Sequence, residues 1–268
     1  MNAHLAGASG LAFERLAPGY DNIFTNSLVG RAQRDVVWQT ADKLFKSGDR
    51  VLELNCGTGE DAMHLASRGV TVRAYDASPG MVAVARERIK NCEASSDVSV
   101  ELLAIEDISR LRGQVFDGVF SNFSGLNCVE NLQAVAGDLL RLLRPGGIAL
   151  LCLSSQICAF ETVWFVMHGE FGKSVRRWSG KTIAKVESLQ VPVWYPSVSS
   201  IEQSFSPWFR LRDVTAVGLF IPPSYAESWA ARHPRTFKFL GSMDTALRQL
   251  PMLRVLGDHV LLTFERCA

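Results

Sequence analysis

Twelve residues, Val51 to Ala62 (VLELNCGTGEDA), constrain this chain more than any others. Val51, Leu52 and Leu54 are apolar with Glu53 between them, which reads as a short strand carrying a carboxylate near its exit. Gly57 and Gly59 follow, separated by Thr58, and Met63, Leu65 and Ala66 then recur at helical spacing. A strand, a glycine-rich turn and a helix make a ligand cradle. Glycine lets the backbone turn tightly and come close to a ligand, and a helix start presents unpaired N–H groups. Such a unit opens a nucleotide-type binding sheet.

Two kinds of cofactor use a cradle of this type. Gly57-Thr58-Gly59-Glu60-Asp61-Ala62 fits G-x-G-x-x-A, so an NAD(P)-dependent oxidoreductase is one reading. Against it, Glu60 and Asp61 fall in the first helical turn, where a pyrophosphate would be repelled rather than held. Glu53 adds a third acid. Three carboxylates suit a cation better, such as the sulfonium and ammonium of S-adenosylmethionine. The whole stretch resembles motif I of the class I S-adenosylmethionine-dependent methyltransferases. Where that family usually has its first glycine this chain has Asn55, a residue that tolerates left-handed backbone better than most. The resemblance implies S-adenosylmethionine as cofactor, S-adenosylhomocysteine as product, and a site drawing on Glu53, Asn55, Cys56, Gly57, Gly59 and Asp61.

At 268 residues the chain has room for one large α/β domain with an embellishment or for two small ones. Its 47% hydrophobic and 21% charged residues are ordinary for a soluble protein with a full core. A formal net charge of +1 makes no electrostatic case for nucleic acid. Six cysteines without a C-x-x-C pair argue against a zinc site and a disulfide framework, and for a reducing compartment. The first sixteen residues lack a secretory signal, and no apolar run is long enough to span a bilayer. The expectation is a cytoplasmic protein with no metal, no nucleic-acid partner and no membrane span. Oligomeric state stays open.

Ahead of the cradle, residues 1–48 read as a helical cap. Leu11 to Tyr20 is a short element broken at Pro18-Gly19. From Ser27, apolar residues at helical spacing continue to Phe45, with Gly48 as the stop. Tyr20-Asp21 resembles the Y-D that precedes motif I in many small-molecule methyltransferases, where the tyrosine covers the cofactor; an ordinary surface or core aromatic is the other reading. Arg31 and Arg34 could meet the cofactor carboxylate, although arginines on a helix more often face solvent.

Past the cradle helix, Val70 to Tyr75 alternates as a second strand with Asp76 at its end, placed to accept hydrogen bonds from ribose hydroxyls. Asp76-Ala77-Ser78-Pro79-Gly80-Met81 resembles the family's D-x-S-x-x-M, which implies that Ala77 and Met81 lie near the adenine. Val98 to Ala104 is a third strand. The Ile105-Glu106-Asp107 that follows resembles the family's apolar and acidic residues around the adenine amino group, or is simply an acidic helix start. A fourth strand, Asp117 to Phe120, leads to Ser121, Asn122 and Phe123, which as residues past a strand's carboxyl end are site candidates. The sequence there is not the Asn-Pro-Pro-Tyr of methyltransferases acting on exocyclic or glutamine nitrogens, so that subclass is disfavoured. Leu143 to Gly147 (LRPGG) resembles the family's L-[RK]-P-G-G, which stops a helix before the fifth strand, Ile148 to Leu153.

The implied fold is α/β and Rossmann-like: a seven-stranded, mostly parallel sheet in the order 3-2-1-4-5-7-6, its last strand antiparallel, with helices on both faces. Residues 49–154 form the cofactor-binding core. Residues 155–268 complete the sheet with strands near Leu211–Phe220 and His259–Phe264. Two insertions, 155–205 and 221–257, would form a substrate lid. In the first, Gln156 to Phe171 reads as a helix with Phe160, Val163, Trp164 and Met167 near one face. Lys173, Arg176, Arg177, Lys181 and Lys185 make a basic run, read as a solvated face or a surface for an acidic acceptor. His168, His233, His259, Tyr195 and Tyr225 are candidate bases, none favoured by spacing. The expected activity is methyl transfer to a small-molecule acceptor by in-line displacement; a non-catalytic relative that works through binding is a third possibility.

Overall fold

The computed structural model describes residues 3–90, 96–186 and 189–268; Cys92 lies outside them. Helix α1 (Ala3–Tyr20) runs straight through Pro18 into a π-helical turn, Asp21–Thr25, so the expected break at Pro18-Gly19 does not occur. Proline removes one N–H and frees the carbonyl four residues earlier. That carbonyl, of Glu14, abuts Gly80, where a Cβ would lie only 2.9 Å away. Packing on the next layer, not local propensity, keeps the helix going.

Helix α2 (Leu28–Leu44) starts at Ser27, whose Oγ accepts the Gly30 N–H. It ends before Gly48 because Phe45 turns extended and drives its ring over Gly118, where any side chain would collide with it. Gly48, at φ +92°, then turns the chain into the sheet.

The sheet comprises β1 (Arg50–Leu54), β2 (Thr71–Asp76), β3 (Val98–Leu102), β4 (Phe116–Ser121), β5 (Leu143–Ser154) and two late strands. Between them lie α3 (Glu60–Ser67), α4 (Pro79–Lys90), a 3₁₀ segment Ile105–Leu111, and α5 (Leu132–Leu142). Strand β5 begins at Leu143, earlier than expected. Leu143 pairs with Phe116 and the register shifts before Gly118 meets Ile148, so Arg144–Gly147 is a bulge within the strand.

After β5 come α6 (Ala159–Met167), α7 (Phe171–Ser174), a hairpin of β6 (Lys181–Val186) and β7 (Leu189–Trp194), and α8 (Val198–Phe205). The single helix expected over 156–171 is two, parted at Gly169 with φ +74°. The chain closes with β8 (Phe209–Val217), α9 (Glu227–Arg232), α10 (Pro234–Leu247) and β9 (His259–Arg266). Strand β9 lies antiparallel between β5 and β8. The sheet order is β3-β2-β1-β4-β5-β9-β8, which is the expected 3-2-1-4-5-7-6.

Alternation along the strands sorts the core into two halves. Leu52, Leu54 and Val119 face α5 and α8 across Leu139 and Phe205. Val51, Val72 and Phe120 face the opposite way, under Val37 of α2, Leu65 of α3 and Ala85 of α4. The carboxyl ends of β1, β2 and β4 come together at one edge, with α1 crossing over them.

Candidate cofactor and acceptor crevice

At that edge the glycine-rich turn is built by backbone geometry. Asn55, Gly57 and Gly59 all have positive φ (49°, 54° and 80°). Nothing lies within 4 Å of where a Gly57 Cβ would be, so its backbone is open to the crevice, whereas a Cβ on Gly59 would lie 3.0 Å from Ala85, so that glycine is turned toward α4. Asp76 locks the turn to the second strand: its Oδ2 accepts the Gly57 N–H at 2.9 Å and its Oδ1 the Ser78 N–H at 2.8 Å. Ser78 Oγ accepts the Met81 N–H, and Pro79 opens α4. The D-x-S-x-x-M run is therefore a turn and a helix cap in succession. Burial raises the Asp76 pKa against those two backbone hydrogen bonds.

Asn55 is more than tolerated. Its Nδ2–H donates to the Asn122 carbonyl at 2.6 Å and its Oδ1 accepts from Ser121 Oγ at 2.5 Å, stitching the end of β1 to the end of β4. Its side chain fills the space where a Cβ on Gly125 would fall. Just beyond, Phe123 and Ser124 are both left-handed (φ 47° and 69°), a conformation costing roughly 1–3 kcal/mol in a residue with a side chain. Asn122 Oδ1 accepts the Phe123 N–H, and the Ser124 and Ser154 hydroxyls meet at 2.6 Å. Phe123 is thereby aimed between Phe24, at 4.8 Å edge-on, and the Arg34 guanidinium, at 4.9 Å.

The acids are not a bare ring around a cation. Asp61 accepts from Trp38 Nε1 at 2.6 Å and from Asn122 Nδ2 at 3.1 Å, and pairs with Arg34 at 2.5 Å. Arg34 is 5% exposed, not on a solvated face. Glu60 pairs with Arg88. Glu53 does not line the crevice: odd-numbered β1 residues face α2 and α3, so it is buried beneath them, its Oε2 without a partner. Burial first, and Asp61 second, push its pKa well above the usual carboxylate range.

Of the expected site residues, Tyr20, Asn55, Cys56, Gly57, Asp61, Asp76, Ala77, Met81, Ile105, Glu106, Asn122 and Phe123 line one crevice of about 1230 Å³, counted out to its open mouth. Glu53, Gly59, Asp107 and Ser121 do not. Asp107 turns out to solvent toward Arg110, and Ser121 is spent on Asn55. Sequence reasoning missed the apolar wall: Phe13 from α1, Val129 after β4, and Ala184, Val191 and Val193 from the hairpin. The alternation around Pro192 was a usable signal for that hairpin. The segment 221–257, expected as part of the lid, supplies none of the lining. Its α9 packs on α2 instead, with Ala230 against Val29 and Glu227 accepting the Leu28 and Val29 N–H groups.

Tyr20 and Asp21 divide a task. Tyr20 lines the crevice, its pKa pushed up to about 12 by burial. Asp21 accepts from Thr58 Oγ1 at 2.7 Å and from Arg88 at 2.5 Å, which fastens the helical cap to the glycine turn. No histidine lines the crevice among the described residues: His168 and His233 are exposed, and His259 lies behind Phe123. No group of three or more metal-binding side chains occurs among the described residues.

Residues 51–147 match a methyltransferase-domain family. That stretch, from β1 into the bulge of β5, carries a methyltransferase domain, as the resemblance of its motifs implies. Demethylmenaquinone methyltransferase of Leptospira interrogans is 30% identical over 142 residues, covering 52% of this chain and 57% of that protein. The Mycobacterium marinum protein of the same name is 34% identical over 157 residues, covering 57% and 62%. The chain thus matches only part of these relatives' length. Among solved structures, the [4+2]-cyclase SpnF superposes with a TM-score of 0.67 at 16% identity, over 98% of this chain and 96% of its own. A methyltransferase from Mesorhizobium loti superposes with a TM-score of 0.55 at 16% identity, over 88% and 98%. At that identity these likenesses show the fold alone.

Proposed function

We propose that the chain transfers a methyl group from S-adenosylmethionine to a small, largely apolar acceptor that carries its own acidic proton. The cofactor supplies an already activated methyl group. The residues fit it: the open Gly57 backbone, and an Asp76 carboxylate with lone pairs to spare beyond its two backbone hydrogen bonds. Met81 and Ile105 would flank the base, with Glu106 beside them, and Tyr20 would cover the other end.

One observation carries the acceptor class. Much of the lining is apolar (Phe13, Phe123, Val129, Val191), and among the described residues no histidine joins it to serve as a general base. Tyr20 keeps its proton at neutral pH. Catalysis then rests on alignment and exclusion of water, which can supply roughly 7–11 kcal/mol of the barrier. An acceptor ionising without help, such as a quinol or another hydroxylated aromatic, suits such a lining, and relatives named demethylmenaquinone methyltransferases favour that class.

Isothermal titration with S-adenosylmethionine, S-adenosylhomocysteine and NADH tests the cofactor half, and binding of NADH alone overturns it. Asp76→Ala should weaken S-adenosylmethionine by about 3 kcal/mol, near a hundredfold in Kd, since hydrogen bonds to a charged group are lost from ligand and turn together. Mass spectrometry on hydroxynaphthoquinol and aliphatic-amine acceptors tests the other half. Methylation of amines alone would remove the acidic-acceptor reading.

A further inference from the structure

Helix α6 packs Trp164 and Phe165 on Tyr225 yet leaves an apolar side exposed. The residue it buries is Glu161, 2% exposed, while Val163, Val166 and Met167 stand 58%, 44% and 80% exposed. Phe171 (66%), Trp178 (50%) and Ile183 (63%), which follow in the chain, are exposed as well. Helix α6 and α7 are joined where the Glu170 N–H donates to the Phe165 carbonyl. The cations Lys173 and Arg176 both sit over the Phe165 ring, at 5.6 and 5.9 Å.

The hairpin adds a second face. Side chains alternate along β6, so Ala184, paired with Val191, lines the crevice. Lys181, Ile183 and Lys185 therefore project from the other side, with Lys181 over Trp194 at 4.8 Å. Between residues 155 and 186 five Lys or Arg oppose two carboxylates, and Glu187 follows; Arg177 is buried, which leaves Lys173, Arg176, Lys181 and Lys185 at the surface. Both carboxylates are already paired, Glu161 with Arg176 and Arg177, and Glu170 with Lys173.

We propose that this face, α6, α7 and the outer side of the β6–β7 hairpin, docks on the surface of an anionic lipid bilayer. Exposed aliphatic and aromatic side chains interleaved with lysines are what an interfacial segment presents to acyl chains and acidic headgroups. Exposed large apolar side chains in this number mark an interaction site. A second copy of the chain is a poor occupant. A two-fold contact would set the patch against itself, lysine facing lysine, with no unpaired acid among the patch's described residues to answer.

The test is flotation with vesicles of phosphatidylcholine alone and of equal phosphatidylcholine and phosphatidylglycerol, at low and high salt. Its readout is partitioning, so it stands apart from the methyl-transfer reading. The protein should float with anionic vesicles at least tenfold better than with neutral ones at low salt. Lys181→Glu with Lys185→Glu should remove that preference. Val163→Ser with Met167→Ser and Phe171→Ser should reduce flotation about tenfold while circular dichroism and S-adenosylmethionine affinity stay unchanged. Equal flotation with both vesicle types, or variants that float like the parent, would overturn the proposal. So would a dimer in light scattering that the apolar triple variant dissolves while the parent fails to float.

Discussion

Asn55 and Gly125 exchange volume. One carries the side chain that motif I usually lacks, and the other lacks the side chain that would meet it. Gly125→Ala alone should cost about 2 kcal/mol or more in urea denaturation, because the methyl overpacks against a stitched amide. Adding Asn55→Gly should recover most of that loss, a coupling of at least about 1 kcal/mol; additive losses would show the two residues to be independent. Glu53 carries a pH signature. Its folded pKa lies well above the unfolded 4.5, so the folded chain holds the proton more tightly. Stability from this group is fully present below about pH 4.5 and declines as pH rises toward the folded value. Glu53→Gln should accordingly be near neutral at pH 4.5 and stabilising by about 1–3 kcal/mol at pH 7.5. Equal stability differences at both values would mean that Glu53 titrates normally.

At the scale of elements, the helical cap reaches the cofactor turn through few but concentrated contacts. Asp21, Thr58, Arg88 and Glu60 form a chain in which Arg88 Nε–H also donates to the Thr58 carbonyl at 2.8 Å. The glycines at either end of the contact, Gly10 and Gly80, let α1 sit on the turn after β2 and on the start of α4. Asp21→Ala should raise the S-adenosylmethionine Kd about fivefold, near 1 kcal/mol. Amide exchange over α1 should speed up while that of β1 and β4 stays protected. An unchanged affinity with faster exchange would detach the clamp from cofactor binding.

Across the whole molecule, one buried network holds the first insertion to the sheet. Arg177, 7% exposed, pairs with Glu161 of α6 and with Asp258, which sits beside β9 and also accepts from Gln33 of α2. The basic run read from the sequence as a solvated face is therefore partly internal. Burial holds His259 below its ordinary pKa, so it stays neutral in this cluster. Arg177→Met should cost about 3–5 kcal/mol in urea denaturation, since Asp258 is left buried without its arginine and Glu161 keeps only Arg176. The triple change with Glu161→Gln and Asp258→Asn should cost less. A loss under about 1 kcal/mol for the single change would show that solvent screens the network.

The order of the seven strands came from the resemblance to the methyltransferase motifs; local pattern was enough for the strand-turn-helix unit and for much of the crevice floor. Both of these depend on residues near one another in sequence: alternation, glycines at positive φ, and acids one turn from a strand end. Tertiary structure alone decided the rest. It carried α1 through Pro18, turned Glu53 under the helices and neutralised Glu60 and Asp61 with arginines from α2 and α4. It also placed the hairpin rather than α9 and α10 over the cofactor edge. These outcomes depend on which distant group arrives to take a freed carbonyl, a buried charge or an empty volume, and no window along the chain contains both partners.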